Sequence, residues 1–166
     1  MFKSLFGKKE SKVETLTAPI TGKTLDLAEV PDPVFAQKMM GDGIAIEPAE
    51  GEVVSPIDGE IVQVFPTKHA VGIKAKSGLE VLIHIGLETV NLNGEGFESF
   101  VKAGDKVKQG DKLIQFDLEI IREKAASTIT PIIITNTDEV VETMEKKPQI
   151  EIQKSETDIL TITLKK

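Results

Sequence analysis

The stretch GLEVLIHIGLETV, residues 78–90, reads as a β-strand with one polar ring set into it. Leu79, Val81, Ile83, Ile85 and Leu87 alternate as the buried face of a strand does. His84 falls on the opposite parity, between Leu82 and Gly86, and faces whatever the second side of the strand meets. The chain has two histidines, and the other is His69. Between them lies AVGIKAKSGLEVLI, two strand-like pieces around Lys76, Ser77 and Gly78, which suggests a hairpin. With Lys76 and Ser77 as a two-residue loop, His69 stands directly opposite His84, with Cβ atoms about 5 Å apart. With Ser77 and Gly78 as the loop, the two rings are diagonal on one face. A three-residue loop would put them on opposite faces.

The rest of the chain repeats this texture. GEVVSPIDGEIVQVF, KLIQFD, ITPIIIT and ILTITLKK are short runs rich in Val, Ile and Thr. IDGE, KSGL, LNGEG, KAGD and KQGD supply turns between them. The expected fold is all-β, a compact antiparallel β-sandwich with a few short helices. Helices are expected over about Pro33 to Met40, from Leu118 after an Asp117 cap, and through NTDEVVETME. In the last, Asn136 and Glu139 have capping-box spacing. No linker divides the chain, so residues 1–14 are expected to be a flexible N-terminal segment and 15–166 a single domain.

The 166 residues carry a net charge of −7, with 28% charged and 40% hydrophobic residues, an ordinary globular balance. The absence of cysteine excludes disulfides, thiolate zinc sites and a thiol nucleophile. With no Trp or Tyr and an acidic surface, binding of nucleic acid or carbohydrate is not expected. No apolar run has the length of a membrane span and no signal-peptide core opens the chain, which points to the cytoplasm. In residues 1–12, MFKSLFGKKESK, Phe2, Leu5 and Phe6 share one side of a short helix among Lys3, Lys8 and Lys9. Besides a frayed end, residues 1–9 could form a weak foot on an anionic membrane.

A lone strand histidine is ordinarily a surface residue. Two on one face suggest chemistry, but two ligands fall short of a protein-only zinc site. Two adjacent imidazoles can hold a phosphoryl group: one nitrogen accepts it and the other ring donates to its oxygens. His84 is the better acceptor, because Gly86 leaves open space and a backbone carbonyl within reach of the second ring nitrogen.

At this point the residues resemble a known family. VPDPVFAQKMMGDGIAI, GEVVSPIDGEI, TKHAVGI, LIHIGLETVNLNGEGF, VKAGDKVKQGDKLIQFD and STITPIIITN, in this order, look like enzyme IIA (EIIA) of the glucose class. These are components of the bacterial phosphoenolpyruvate-dependent sugar phosphotransferase system. The match runs from APITGK to the C-terminus, and the implied fold is again an antiparallel β-sandwich. The resemblance implies that His84 is phosphorylated on Nε2, by phospho-HPr, and passes the group to a cysteine of the IIB domain of a membrane sugar permease. His69 would steady the phosphoryl oxygens and Thr67 would orient His69. A shallow docking patch would draw on Val34, Phe35, Met39, Met40, Ile44 and Phe65, with Gly86 beside the histidine and Asp32 and Glu88 at the edge. Many relatives carry Asp where this chain has Glu88.

No cofactor is obligatory on this reading, although His69 and His84 could hold zinc (Zn2+) with a carboxylate from a docked partner. A monomer is expected, with regulatory protein partners selected by phosphorylation state. Two other readings lack their residues. A biotinyl or lipoyl carrier needs a lysine displayed on a hairpin, and a zinc endopeptidase needs an H-x-H pair where IHIG has one histidine.

Overall fold

Apolar side chains alternate between two clusters because the central strands of the largest sheet are buried on both faces. The computed structural model describes residues 12–166. In chain order the first strands are β1 (Val13–Thr17), β2 (Gly22–Leu25), β3 (Asp42–Pro48), β4 (Glu52–Val54) and β5 (Gly59–Val64). Next come β6 (Ala70–Lys74), β7 (Glu80–His84), β8 (Phe97–Ser99), β9 (Lys106–Val107) and β10 (Lys112–Phe116). The last are β11 (Thr130–Ile134), β12 (Val141–Lys146), β13 (Glu151–Ile152) and β14 (Asp158–Leu164). They form an eight-stranded sheet, β13-β2-β3-β11-β7-β6-β5-β9, and two three-stranded sheets, β1-β14-β12 and β4-β10-β8. Every pairing is antiparallel. The all-β sandwich with few short helices is therefore what the chain adopts.

On one side of the large sheet, Ile44 and Ile46 of β3, Val71 and Ile73 of β6, Val81 and Ile83 of β7, and Ile132 and Ile134 of β11 enter the main core. The residues between them, Ala45, Ala70, Leu82 and Ile133, point the other way into a smaller cluster. That cluster is closed by Leu27, Val30, Phe35 and Leu87. Leu87 is on this second side, not on the buried face with Leu79 to Ile85, because Gly86 between them turns the chain at φ +70°.

Short polar motifs hold the turns. The hexapeptides VKAGDK (residues 101–106) and VKQGDK (107–112) repeat one device. Asp105 and Asp111 accept from the backbone N–H of Lys102 and Lys108 at 2.9 and 2.8 Å. Gly104 and Gly110 take the left-handed conformation that the turns need, at φ +97° and +93°.

Four expectations are corrected. The first helix, α1, is only Pro33–Ala36, because Lys38 (φ 61°) and Gly41 (φ 129°) break the turn. The second, α2 (Leu118–Lys124), starts after the Asp117 cap as expected. The third, α3, is Thr137–Val140 and then becomes β12, which pairs with β14. Asn136 does not cap it: its side chain accepts from Glu80 N–H at 3.0 Å and donates to the Gly78 carbonyl at 2.8 Å. Sheet pairing outweighs the helical propensity of Glu and Met here. Val13 and Glu14, expected in the N-terminal segment, belong to β1. The membrane foot of residues 1–9 lies outside the described residues.

Candidate active site

The β6–β7 hairpin has a three-residue loop, not the two-residue loop expected. Lys74 pairs with Glu80, and Ala75 N–H bonds the Leu79 carbonyl at 2.8 Å, leaving Lys76, Ser77 and Gly78 between. His84 is consequently opposite Ala70, not His69. The two imidazoles nonetheless meet edge to face, with ring centroids 4.9 Å apart. The alternation rule fails because His69 is not in the ladder. It ends the loop between β5 and β6, a turn with Pro66 in its second position, closed by Lys68 N–H to the Phe65 carbonyl at 2.7 Å. Lys68 is left-handed at φ 62°, and the His69 carbonyl accepts from Ile85 N–H at 2.7 Å. The loop turns the ring across the end of the sheet toward His84.

Each ring is fixed through Nδ1. His84 Nδ1 lies 2.8 Å from the Gly86 carbonyl oxygen. A carbonyl can only accept, so Nδ1 carries the proton and the Nε2 lone pair is free. His69 Nδ1 lies 2.5 Å from the Thr67 hydroxyl. When that hydroxyl donates, Nε2 of His69 holds the proton and is itself a donor. Burial pushes the His69 imidazole down to about 4, and neighbouring His84 adds to the fall. Burial also holds His84 below its ordinary value, against opposing pulls from the Gly86 carbonyl and Asp32. Both rings are therefore neutral at neutral pH. Phe35 packs on His84 at 5.0 Å between centroids and Phe65 edge-on to His69 at 5.4 Å, so Phe35, His84, His69 and Phe65 make one row of rings.

The segment after His84 is tied from three sides. Gly86 N–H bonds the Thr130 hydroxyl at 3.3 Å, Thr89 Oγ1 donates to the Ile85 carbonyl at 2.6 Å, and Leu87 N–H bonds the Ser127 carbonyl at 3.0 Å. A Cβ on Gly86 would lie 2.7 Å from Thr89 Cγ2 and 2.9 Å from the Ser127 carbonyl oxygen. Only glycine fits there and aims the carbonyl.

Around the rings, Asp32 caps α1 by accepting from Val34 N–H at 3.0 Å. Val34, Met39 and Met40 are exposed, Met39 the most at 69%. Phe65 is half-buried, Phe35 is buried beneath the surface, and Glu88 is exposed and left-handed at φ 59°. Ile44 is corrected: it is fully buried in the main core, on the side of β3 turned away from α1, and offers nothing to a partner. Exposed Val90 and the supporting Thr89 and Thr130 were missed. The signal for the two threonines is a hydroxyl inside an apolar run. Among the described residues, no group of three or more His, Cys, Asp or Glu could hold a metal. Nor is any described helix long and apolar enough to cross a membrane.

Residues 14–140 match the family model for the phosphoenolpyruvate-dependent sugar phosphotransferase system, EIIA 1. The chain is 60% identical over 166 residues to a PTS system glucose-specific EIIA component of Bacillus cereus, covering 99% of this chain and 100% of that one. The corresponding protein of Staphylococcus epidermidis is 54% identical, with 99% of each chain covered. Among solved structures, glucose permease IIA from Mycoplasma capricolum superposes with a TM-score of 0.83 at 42% identity, over 90% of this chain and 96% of that one.

Proposed function

This chain belongs to the EIIA 1 family of the phosphoenolpyruvate-dependent sugar phosphotransferase system, and from that premise we propose that Nε2 of His84 carries the phosphoryl group. The donor is the phosphohistidine of HPr and the acceptor is a cysteine of the IIB domain of a glucose-type permease. The observation that carries this is the 2.8 Å contact from His84 Nδ1 to the Gly86 carbonyl.

In the first transfer the Nε2 lone pair forms the new N–P bond while the donor's N–P bond breaks, and its electron pair returns to the HPr imidazole. Nδ1 keeps its proton, so the His84 ring becomes positive as the bond forms, and the Gly86 carbonyl dipole stabilises that charge. In the second transfer a cysteine thiolate attacks phosphorus and the pair returns to Nε2. His69, oriented by Thr67, directs its Nε2–H at the phosphoryl oxygens and supports the charge moving between partners. Neutral rings serve both roles, since a protonated Nε2 on His84 could not attack.

Val34, Met39, Met40 and Phe65 form the apolar ground on which successive partners dock, with Asp32 and Glu88 at its margin. A phosphoryl group there adds about two negative charges and changes which partners fit, the basis for regulatory binding. His84 Nε2, together with His69 Nε2 once its proton has moved to Nδ1, would supply two ligands of a tetrahedral zinc site completed by a partner carboxylate and water. The carrier acts as a monomer in the cytoplasm and does not touch the sugar.

The test is incubation with phosphoenolpyruvate, enzyme I and HPr, followed by intact-mass measurement and mapping of the modified peptide. One acid-labile phosphoryl group on His84 is expected. No gain with active donor proteins, or a group on His69 instead, would overturn the assignment.

A further inference from the structure

Lys74 on β6, Lys76 in the hairpin loop and Lys106 on β9 line one groove of about 520 Å³ with Gly59, Glu60, Val62 and Ala75. All three lysines are exposed on a chain of net charge −7, and none has an ion-pair partner among the described residues. Glu60 is the one carboxylate in the lining. It stands opposite Lys74 on one side and Lys106 on the other, so the groove keeps two positive charges in excess. Its apolar contribution is Val62, which is 48% exposed. Val62 is the extra residue where the β5–β6 register shifts between Ile61 and Gln63, and it lies over Gly72, whose Cβ would be 3.2 Å from Val62 Cγ2.

The groove is at the far end of β6 from His69. Ala70, Gly72 and Lys74 alternate onto the same side of the sheet as His84, so the groove continues the side that carries the rings. Five residues of β6 separate the two ends, roughly 15 Å.

We propose that this groove is a second docking point, one that takes an extended acidic peptide segment carrying an apolar side chain, supplied by a protein bound over the histidines. The carboxylates meet Lys74, Lys76 and Lys106 while the apolar group covers Val62. Charge complementarity selects this occupant: an acidic segment is repelled by most of the surface and attracted here. A recessed groove suits a strand of peptide better than a flat bilayer. The contact adds to the rate and register of docking and leaves the transfer chemistry alone.

The blocked peptide Glu-Glu-Leu-Glu-Glu, titrated into the isotope-labelled full chain, is the probe. Amide shifts are expected at Val62, Lys74 to Ser77 and Lys106, and none at His69 or His84. Affinity should fall about tenfold or more with Lys74→Glu, Lys76→Glu and Lys106→Glu combined, three exposed charge pairs being worth that much together. That variant should still accept phosphate on His84 when HPr is saturating, which separates failure of the groove from failure of the carrier role. No shifts in the groove, or equal binding of Lys-Lys-Leu-Lys-Lys, would overturn the proposal. So would tighter binding to anionic vesicles than to the acidic peptide, or a groove-dependent dimer in sedimentation.

Discussion

The two sides of the β6–β7 ladder are built for different purposes. On one side Val71, Ile73, Val81 and Ile83 are aliphatic, deeply buried and interchangeable in kind. On the other, Ala70 and Leu82 lead to His84, beneath a thin cover from Phe35 and its neighbours. Small residues let that cover approach closely, and the cover lowers the affinity of His84 for a proton. Residues adjacent in the chain therefore belong to different problems: Ile83 holds the sheet together, and His84 does chemistry at its end.

The sharpest way to break this comparison is to replace those neighbours one at a time. His84→Gln should abolish phosphoryl acceptance from HPr while the urea unfolding curve moves little, because a half-buried ring is lost and no core cavity opens. Ile83→Ala should do the reverse. Removing a fully buried isoleucine costs about 2–5 kcal/mol in unfolding free energy. The folded fraction should still accept phosphate at the normal rate. If the folded fraction of Ile83→Ala failed to accept phosphate, or His84→Gln unfolded the chain, the division between the two sides would fail.

His69 gives a second, smaller separation, through pH. Its pKa falls from 6.5 to about 4 on folding, so below pH 6.5 the unfolded chain binds more protons than the native one. Stability from this group is complete above pH 6.5 and is lost as pH falls toward 4, amounting to about 3 kcal/mol over that window. His69→Gln should flatten that part of the stability profile measured by urea titration at a series of pH values. It should still accept phosphate on His84 but pass it on slowly. An unchanged pH profile would mean that the ring is not held neutral by its surroundings.

Legibility in the sequence followed the same boundary. β6, β7, β10, β11 and β14 could be found because their apolar runs obey the period of a ladder. β12 was hidden: VETMEK has helical composition, and only its partner β14 makes it a strand. The pairing of His69 with His84 was expected from a hairpin register that the three-residue loop contradicts. It arises from the left-handed Lys68 instead, a loop conformation that no periodicity encodes. Ile44 is buried and Val90 exposed for a related reason, since apolar character alone does not say which side of a backbone faces out. The anchors of the His84 loop, Thr89 and Thr130, act through backbone groups brought together only by folding.

The finest division is within the site, between the atom that reacts and the hydroxyl that aims its neighbour. Thr67→Val keeps the shape of the side chain and removes the oxygen 2.5 Å from His69 Nδ1. The loss should cost about 1 kcal/mol in stability, the usual net worth of such a bond. His84 keeps its Gly86 contact, so acceptance from HPr should proceed as before. Onward transfer to the IIB cysteine should slow, because His69 is then free to present either ring nitrogen to the phosphoryl oxygens. Single-turnover rates for the two half-reactions read this directly, and Thr67→Ser should restore the second one. A hydroxyl with a merely structural role would slow both half-reactions together, and serine would not separate them.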